Sequence, residues 1–414
     1  MKETPVVYKK LSSASMSTSS QTASPPTICY DEFDPPPLIS SSAILGAGFF
    51  LFVLAMIWPP LVLMVGFVAS LVVPYCYRVN DDGPSRRLMM QQFLENDPIA
   101  IKRSSAFPDH KVRLVSSFWK NPRGLLLHSI VMIPKDQPVK AVICFCHGYI
   151  DNPSYTKAPE LAYLCHTGGL AIILVEYEGH GQSDGALGLV KDWDNLVEDA
   201  HLFFQETLAD RFPGVTAFLM GESMGGAVAY TMIQKYPEPY RGVVLMCPMC
   251  KIADDMMPPD FVVNTFRMIA GPTGTATPVG YLPLAPSKGN LQKFSFKLDE
   301  KRRECVRHPA VFNRKPRLAT AREMLDVTKR ITASLSDFDA PFLVQHGLSD
   351  RVTDPQLSQA LYDEASSDDK TIRLYDGMWH ALPGEPDDNI AKVYKDTIEW
   401  VTDRLGPKDS KKNQ

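Results

Sequence analysis

No charged residue occurs between Pro35 and Tyr77, and the stretch from Ala43 to Val73 is almost wholly apolar. A soluble core helix has no need of such a run, which is long enough to cross or enter a bilayer. No Lys or Arg lies between Leu11 and Ser42, so the run lacks the basic flank of a secretory signal peptide and begins too deep in the chain. No basic stripe is present and the formal charge is −4, which gives no reason to expect a nucleic-acid partner. No N-x-S/T acceptor free of proline occurs, and no internal repeat is evident.

Where charge resumes it is basic: Arg78, Arg86 and Arg87. The positive-inside rule then places everything downstream on the cytosolic side. Pro59-Pro60 divides the apolar run near its middle. A proline inside a helix removes a hydrogen bond and clashes with the preceding turn, so the run reads as one kinked spanning helix or as a hairpin of two short helices. The spanning form is favoured as the simpler arrangement. The organisation expected is a disordered Ser/Thr/Pro-rich tail over 1–42, a hydrophobic membrane segment over 43–77 and a juxtamembrane linker over 78–110. An α/β domain follows over 111–405, with a cap insertion at about 251–335, and 406–414 is a polar tail. The endoplasmic reticulum and a lipid-droplet surface both suit such a chain.

The most informative motif is Gly221-Glu222-Ser223-Met224-Gly225, followed by Gly226. The apolar run Val215 to Met220 precedes it, and Ala227 to Ile233 can continue as a helix. Strand, sharp turn and helix form the context of a nucleophile elbow, which lifts a serine above the sheet and leaves the next amide free. A serine hydroxyl needs a histidine to take its proton, and that histidine needs a carboxylate to fix its tautomer. In α/β-hydrolases the three arrive in the order Ser, Asp or Glu, His. Phe342 to Gly347 reads as a buried strand running into a loop with Asp350, and Thr371 to Tyr375 as a strand running towards His380. Both fall just past strand C-termini, where open α/β sheets bind ligands. Asp354 is a rival to Asp350, but its place directly before Pro355 suits a helix cap. The catalytic set is therefore Ser223, Asp350 and His380.

A second amide for the oxyanion comes from the loop after an earlier strand. Ala141 to Cys146 is such a strand, and His147-Gly148-Tyr149 follows it at once, so Tyr149 and Met224 are the expected donors. Cys144, Cys146, Cys247 and Cys250 sit on or near core strands. They read as buried thiols and not as a zinc set, because strand positions send alternate side chains to opposite faces. No metal and no cofactor is expected.

Helix and strand alternate through Met246, the pattern of a largely parallel sheet, opened by a hairpin of strands near Val112 to Phe118 and Leu125 to Ile133. The alternation stops between Cys250 and Ala340, which marks the cap. Its Met256, Met257, Phe261, Phe266 and Met268 are candidates to line an acyl site.

These motifs resemble the monoacylglycerol lipase and lysophospholipase branch of the α/β-hydrolase superfamily, and especially its plant members, some of which hydrolyse caffeoyl shikimate. The likeness runs from about Val112 to Leu405. It is carried by His147 to Tyr149, Glu176 to Ser183, Gly221 to Gly226, Cys247 to Ile252, Arg317 to Leu325 and His346 to Val352. Glu176 and Cys247 stand where the family usually has Asp and Ala, both beside the sheet and away from the triad. The loop Ile150-Asp151-Asn152-Pro153 also departs from the family pattern.

The resemblance implies an α/β-hydrolase fold with a helical cap and the same triad and oxyanion donors. It further implies a serine hydrolase acting on a lipid carboxylic ester, monoacylglycerol first and lysophospholipid second. An acyltransferase with the same triad, a soluble aromatic esterase and a membrane-anchored scaffold without catalysis are the rival readings.

Overall fold

In the computed structural model of the protein the described residues are 83–105, 107, 111–250, 259–274, 279–285 and 291–406; the side chains at 99, 103–105, 266 and 269 lie outside this set. The tail, the apolar run expected to enter a membrane, and Met256 and Met257 fall outside it too. No helix among the described residues is long and apolar enough to cross a membrane.

The centre is an eight-stranded sheet. Strands β1 (Val112–Lys120), β2 (Leu126–Pro134), β3 (Ala141–Cys146), β4 (Leu170–Val175), β5 (Ala217–Glu222), β6 (Tyr240–Met246), β7 (Phe342–Gly347) and β8 (Lys370–Tyr375) lie in the order β1-β2-β4-β3-β5-β6-β7-β8. β1 and β2 form an antiparallel hairpin, β2 runs antiparallel to β4, and every other pair is parallel. Parallel strands with helices on both faces read as near-continuous apolar runs. β3, β4, β5 and β7 are buried at every position, which accounts for the apolar runs 141–146, 170–175, 217–220 and 342–344.

Helices cover the sheet. On one face pack α5 (Trp193–Arg211), through Phe203 and Phe204, and α6 (Met224–Lys235), through Val228 and Met232. On the other pack α4 (Ala158–Gly168), through Leu161 and Leu164, and α12 (Asp387–Thr402), through Val393 and Trp400. A one-turn helix, α3 (Pro153–Thr156), precedes α4.

Ahead of the sheet lie α1 (Gly83–Asn96) and α2 (Pro98–Ser105). Arg86 of α1 is fully buried and donates to the carbonyls of Gly181, Ser183 and Gly185, in the turns that follow β4. An arginine counted in the sequence as a membrane-flanking charge is thus spent inside the fold.

Between β6 and β7 come α7 (Asp260–Ala270), α8 (Leu291–Ser295), α9 (Asp299–Val306) and α10 (Leu318–Ala333). α10 rejoins the core through Met324, Val327 and Ile331. α11 (Pro355–Glu364) follows β7 and opens on Asp354, whose side chain accepts from the Gln356 amide at 2.9 Å. That is the capping role expected of it.

Cys144 and Cys146, two residues apart on β3, point to the same face and join one core cluster. Alternate positions of a strand share a face, so the expected splaying does not apply to this pair. Both thiols are nonetheless buried among apolar neighbours, and burial pushes Cys146 up to about 12.

Two buried histidines give the fold an acid weakness. Burial drives His308 down to about 3, and burial with the neighbouring His147 drives His180 to about 3. Both stay neutral in the native state while their unfolded forms protonate near pH 6.5. The unfolded chain therefore binds more protons, and stability present above about pH 6.5 is lost as pH falls towards about 3. One unit below the unfolded value each histidine costs about 1.4 kcal/mol. Urea midpoints measured from pH 7.5 to 5 are expected to fall steadily, and His308→Gln to flatten the slope; an unchanged slope refutes this assignment.

Candidate active site

Ser223 sits between β5 and α6 with φ 57° and ψ −120°, a conformation that non-glycine residues rarely adopt. The turn survives because its neighbours lack side chains. A Cβ on Gly221 would lie 2.1 Å from the Gly225 carbonyl oxygen, and one on Gly225 would lie 2.0 Å from that of Cys146. No rotamer relieves a clash against backbone, so both positions require glycine. The strand runs two residues further than its apolar run, because Gly221 and Glu222 pair with Leu245 and Met246 of β6.

The three candidate catalytic side chains form a continuous series. Ser223 Oγ lies 2.9 Å from His380 Nε2, and His380 Nδ1 lies 2.7 Å from Asp350 Oδ2. Burial alone would raise the Asp350 carboxyl; the hydrogen bonds and charges of His380 and His346 outweigh it and hold the group well below the usual carboxylate range. An ionised Asp350 only accepts, so His380 carries its proton on Nδ1 and presents Nε2 to the serine hydroxyl. That tautomer lets the imidazole act as base towards Ser223.

Asp350 accepts further bonds from the Val352 amide at 2.7 Å, the Thr353 amide at 3.2 Å and the Thr353 hydroxyl at 2.9 Å. His346 Nε2 lies 3.0 Å from the same Oδ2 that meets His380. From sequence His346 reads only as part of the buried strand Phe342 to Gly347 and of the motif that follows, because its partner is set by the loop's return path.

Met224 opens α6, so its amide has no acceptor within the helix. The Tyr149 amide is likewise free of hydrogen-bond partners among the described residues. A Cβ on Gly148 would lie 3.6 Å from Ser223 Cβ, so the Gly148–Tyr149 peptide passes directly beside the nucleophile.

His147 orients that peptide. The Tyr177 amide donates to His147 Nε2 at 3.0 Å, which leaves the ring proton on Nδ1, 2.8 Å from the Gly148 carbonyl. Burial keeps the ring neutral. Carbonyl and amide of one trans peptide point in opposite directions, so fixing the Gly148 oxygen also fixes the direction of the Tyr149 N–H. The Tyr149 hydroxyl donates to Gly188 O at 3.0 Å and pins the other end of the residue.

A cavity opens over Ser223 and His380. Leu291, Phe296, Val311 and Val352 form apolar parts of its wall, and Lys157 and Glu222 contribute a buried ion pair. Lys157 Nζ lies 2.9 Å from Glu222 Oε1 and 4.0 Å from Asp151. Burial would discharge this ammonium, but the two carboxylates outweigh it and hold its affinity for a proton above normal. The segment between β6 and β7 meets the loop that carries His380 where the Ala381 amide donates to Ser295 O at 2.9 Å.

The cap residues proposed from sequence do not form this wall. Phe261 and Met268 are 73% and 79% exposed and do not line the cavity. Seven residues apart on α7, they share a face, while Val263 and Ala270 turn the other face inward. Met256, Met257 and the Phe266 side chain lie outside the described residues.

Cys247 also departs from expectation. It is not simply beside the sheet: its sulfur shares a cluster with Asp350 and His380 in which the ligand atoms lie within 4.8 Å of one another. Burial first, then the Asp350 charge, pushes its thiol well above the usual range, so it stays neutral.

Comparison with known proteins follows the same lines. Residues 137–387 match the Hydrolase_4 family model, described as serine aminopeptidase, S33. Caffeoylshikimate esterase of Arabidopsis thaliana is 31% identical over 303 residues, 72% of this chain and 89% of that protein. Monoglyceride lipase of Homo sapiens is 26% identical over 272 residues, 64% of this chain and 83% of that one. A solved soluble variant of monoglyceride lipase from Saccharomyces cerevisiae, in complex with a substrate analog, superposes with a TM-score of 0.59 at 18% identity. It covers 70% of this chain and 96% of its own. The Paleococcus ferrophilus monoacylglycerol lipase gives a TM-score of 0.55 at 22% identity, over 67% and 99% of the two chains. These two structures share the α/β-hydrolase fold.

Proposed function

The chain belongs to the Hydrolase_4 family and is a carboxylic ester hydrolase, and we propose that it cleaves a lipid ester, monoacylglycerol first, through an acyl-enzyme on Ser223. The observation that carries this reading is the unbroken Ser223–His380–Asp350 series facing a cavity with apolar walls. His380 Nε2 takes the Ser223 proton as Oγ attacks the ester carbonyl, and the Tyr149 and Met224 amides receive the oxyanion. The imidazolium, steadied by Asp350, then protonates the departing alcohol. Water repeats the sequence to release the fatty acid and restore Ser223.

The apolar residues 43–77 support action at a membrane or lipid-droplet surface, with Arg78 directly after them favouring a domain that faces the cytosol. The endoplasmic reticulum fits this placement.

A second reading, an aromatic ester such as caffeoylshikimate, is favoured by the 31% identity to a protein of that name. Side-by-side assays decide between them. Purified full-length protein in detergent micelles is expected to release fatty acid from monoacylglycerol faster than from lysophosphatidylcholine, and faster than it cleaves caffeoylshikimate. Faster lysophosphatidylcholine turnover keeps the mechanism and replaces the substrate. Acyl transfer to glycerol in place of water makes the protein a transferase.

A further inference from the structure

We propose that His346 and Ser358 form a second serine–histidine arm on Asp350, which weakens the hold of Asp350 on the His380 proton and so sets the acid limb of activity. The inference rests on the Ser223 reading above. It makes His346 a positioning residue acting through Asp350.

The geometry is nearly symmetric about one carboxylate. On one side run Ser223 Oγ, His380 and Asp350, at 2.9 and 2.7 Å. On the other, Ser358 Oγ lies 2.7 Å from His346 Nδ1, and His346 Nε2 lies 3.0 Å from Asp350 Oδ2. Both imidazoles meet the same oxygen atom. His346 and Ser358 are fully or almost fully buried, at 0% and 1% exposure, so water cannot substitute for either partner.

Proton positions follow. Asp350 accepts only, so both histidines turn an N–H towards Oδ2. In a neutral His346 the proton then sits on Nε2, Nδ1 accepts, and the Ser358 hydroxyl donates to it. That donation polarises the ring and strengthens its N–H bond to Asp350, as in other hydrogen-bond chains at low dielectric. Ser358 projects from α11, so this helix holds the outer end of the arm.

The consequence is a matter of competition. Charge density that Asp350 shares with His346 is withheld from His380, which lowers the affinity of His380 for a proton. The base form of His380 is then available at lower pH. The ionisable groups facing Asp350 are His380 from the loop after β8, His346 from β7 and Cys247 from the loop after β6. The Cys247 thiol is neutral, and the charge of Glu222 at the end of β5 adds to that of Asp350 in keeping it so. The neutral Cys247 thiol also hydrogen-bonds Asp350; His346 is the imidazole that meets Oδ2, the oxygen facing His380, without touching the nucleophile.

The test is the pH profile of kcat/KM for full-length His346→Ala, His346→Gln and Ser358→Ala, with active sites counted by fluorophosphonate labelling. His346→Ala is expected to move the acid limb upward by about one pH unit with KM unchanged. Ser358→Ala is expected to move it the same way by less. Glutamine keeps an N–H donor, so His346→Gln is expected to return the limb towards wild type. A His346→Ala protein that labels fully and keeps the wild-type limb overturns the proposal, because a purely structural role predicts that result. Where His346→Ala does not fold, an unmoved limb in Ser358→Ala overturns it equally. Activity retained by Ser223→Ala refutes the underlying site reading; an inactive Ser223→Ala with unmoved limbs refutes the second arm alone.

Discussion

Ser223→Ala is expected to lower kcat for ester hydrolysis by roughly a millionfold while leaving the fold and ester binding intact. The size of the effect comes from interdependence: without the hydroxyl, His380 has nothing to activate and the covalent route is closed. The residual rate reports what the Tyr149 and Met224 amides and the cavity do alone, about 10³- to 10⁴-fold over water. The elbow should tolerate the change, because alanine keeps the Cβ and φ 57° is imposed by the surrounding glycines. Fatty-acid release from monoacylglycerol, with the thermal midpoint as control, measures both quantities. A folded variant that keeps a tenth of the activity excludes Ser223 as nucleophile.

Asp350→Asn is expected to cost about 10⁴-fold in kcat, whereas Asp354→Asn should change kcat little. An amide at 350 can turn its NH₂ towards His380 and so favour the tautomer with the proton on Nε2, facing Ser223. The imidazole then cannot accept the serine proton, although the packing is unchanged. Two histidines, a hydroxyl and two backbone amides converge on Asp350, all donors suited to a carboxylate and some left mismatched by an amide. Asp354 is an N-cap, and asparagine caps nearly as well, so its variant should lose only a few tenths of a kcal/mol. Comparing kcat and urea midpoints for the two variants distinguishes catalysis from capping. Equal losses of kcat overturn the assignment of Asp350.

The contrast between these aspartates shows what was legible in the sequence. Position relative to Pro355 was enough to mark Asp354 as the cap, and order along the chain was enough to gather Ser223, Asp350 and His380. The strands Ala141–Cys146 and Phe342–Gly347 could be read from their apolar runs, six residues in the first and Phe342 to Val344 in the second, because burial on both faces favours apolar side chains. Long-range relations were not legible. Periodicity on α7 reveals an apolar side but not its direction, so Phe261 and Met268 were assigned to a cavity that Leu291, Phe296 and Val311 line instead. Cys247 looked like a strand-end thiol, yet the return of the β7–β8 loops brings Asp350 and His380 to it. His346 joins Asp350 only because the loop after β7 doubles back, and nothing in local composition records that turn.

One feature of the sheet governs when the protein first becomes active. Ser223 follows β5, Asp350 follows β7 and His380 follows β8, the last strand to be made and an edge of the sheet. A growing chain therefore holds Ser223, the proposed nucleophile, long before it holds His380, the proposed base. Domains order from the amino-terminal side during synthesis, at roughly 5–20 residues per second. A ribosome-bound chain can bury the β3–β5 centre and still be chemically inert towards any ester it meets. On the proposed mechanism hydrolysis begins only when β8 pairs with β7 and the loop after β8 brings His380 to Ser223, so recovery of activity after dilution from urea should trail recovery of helical signal.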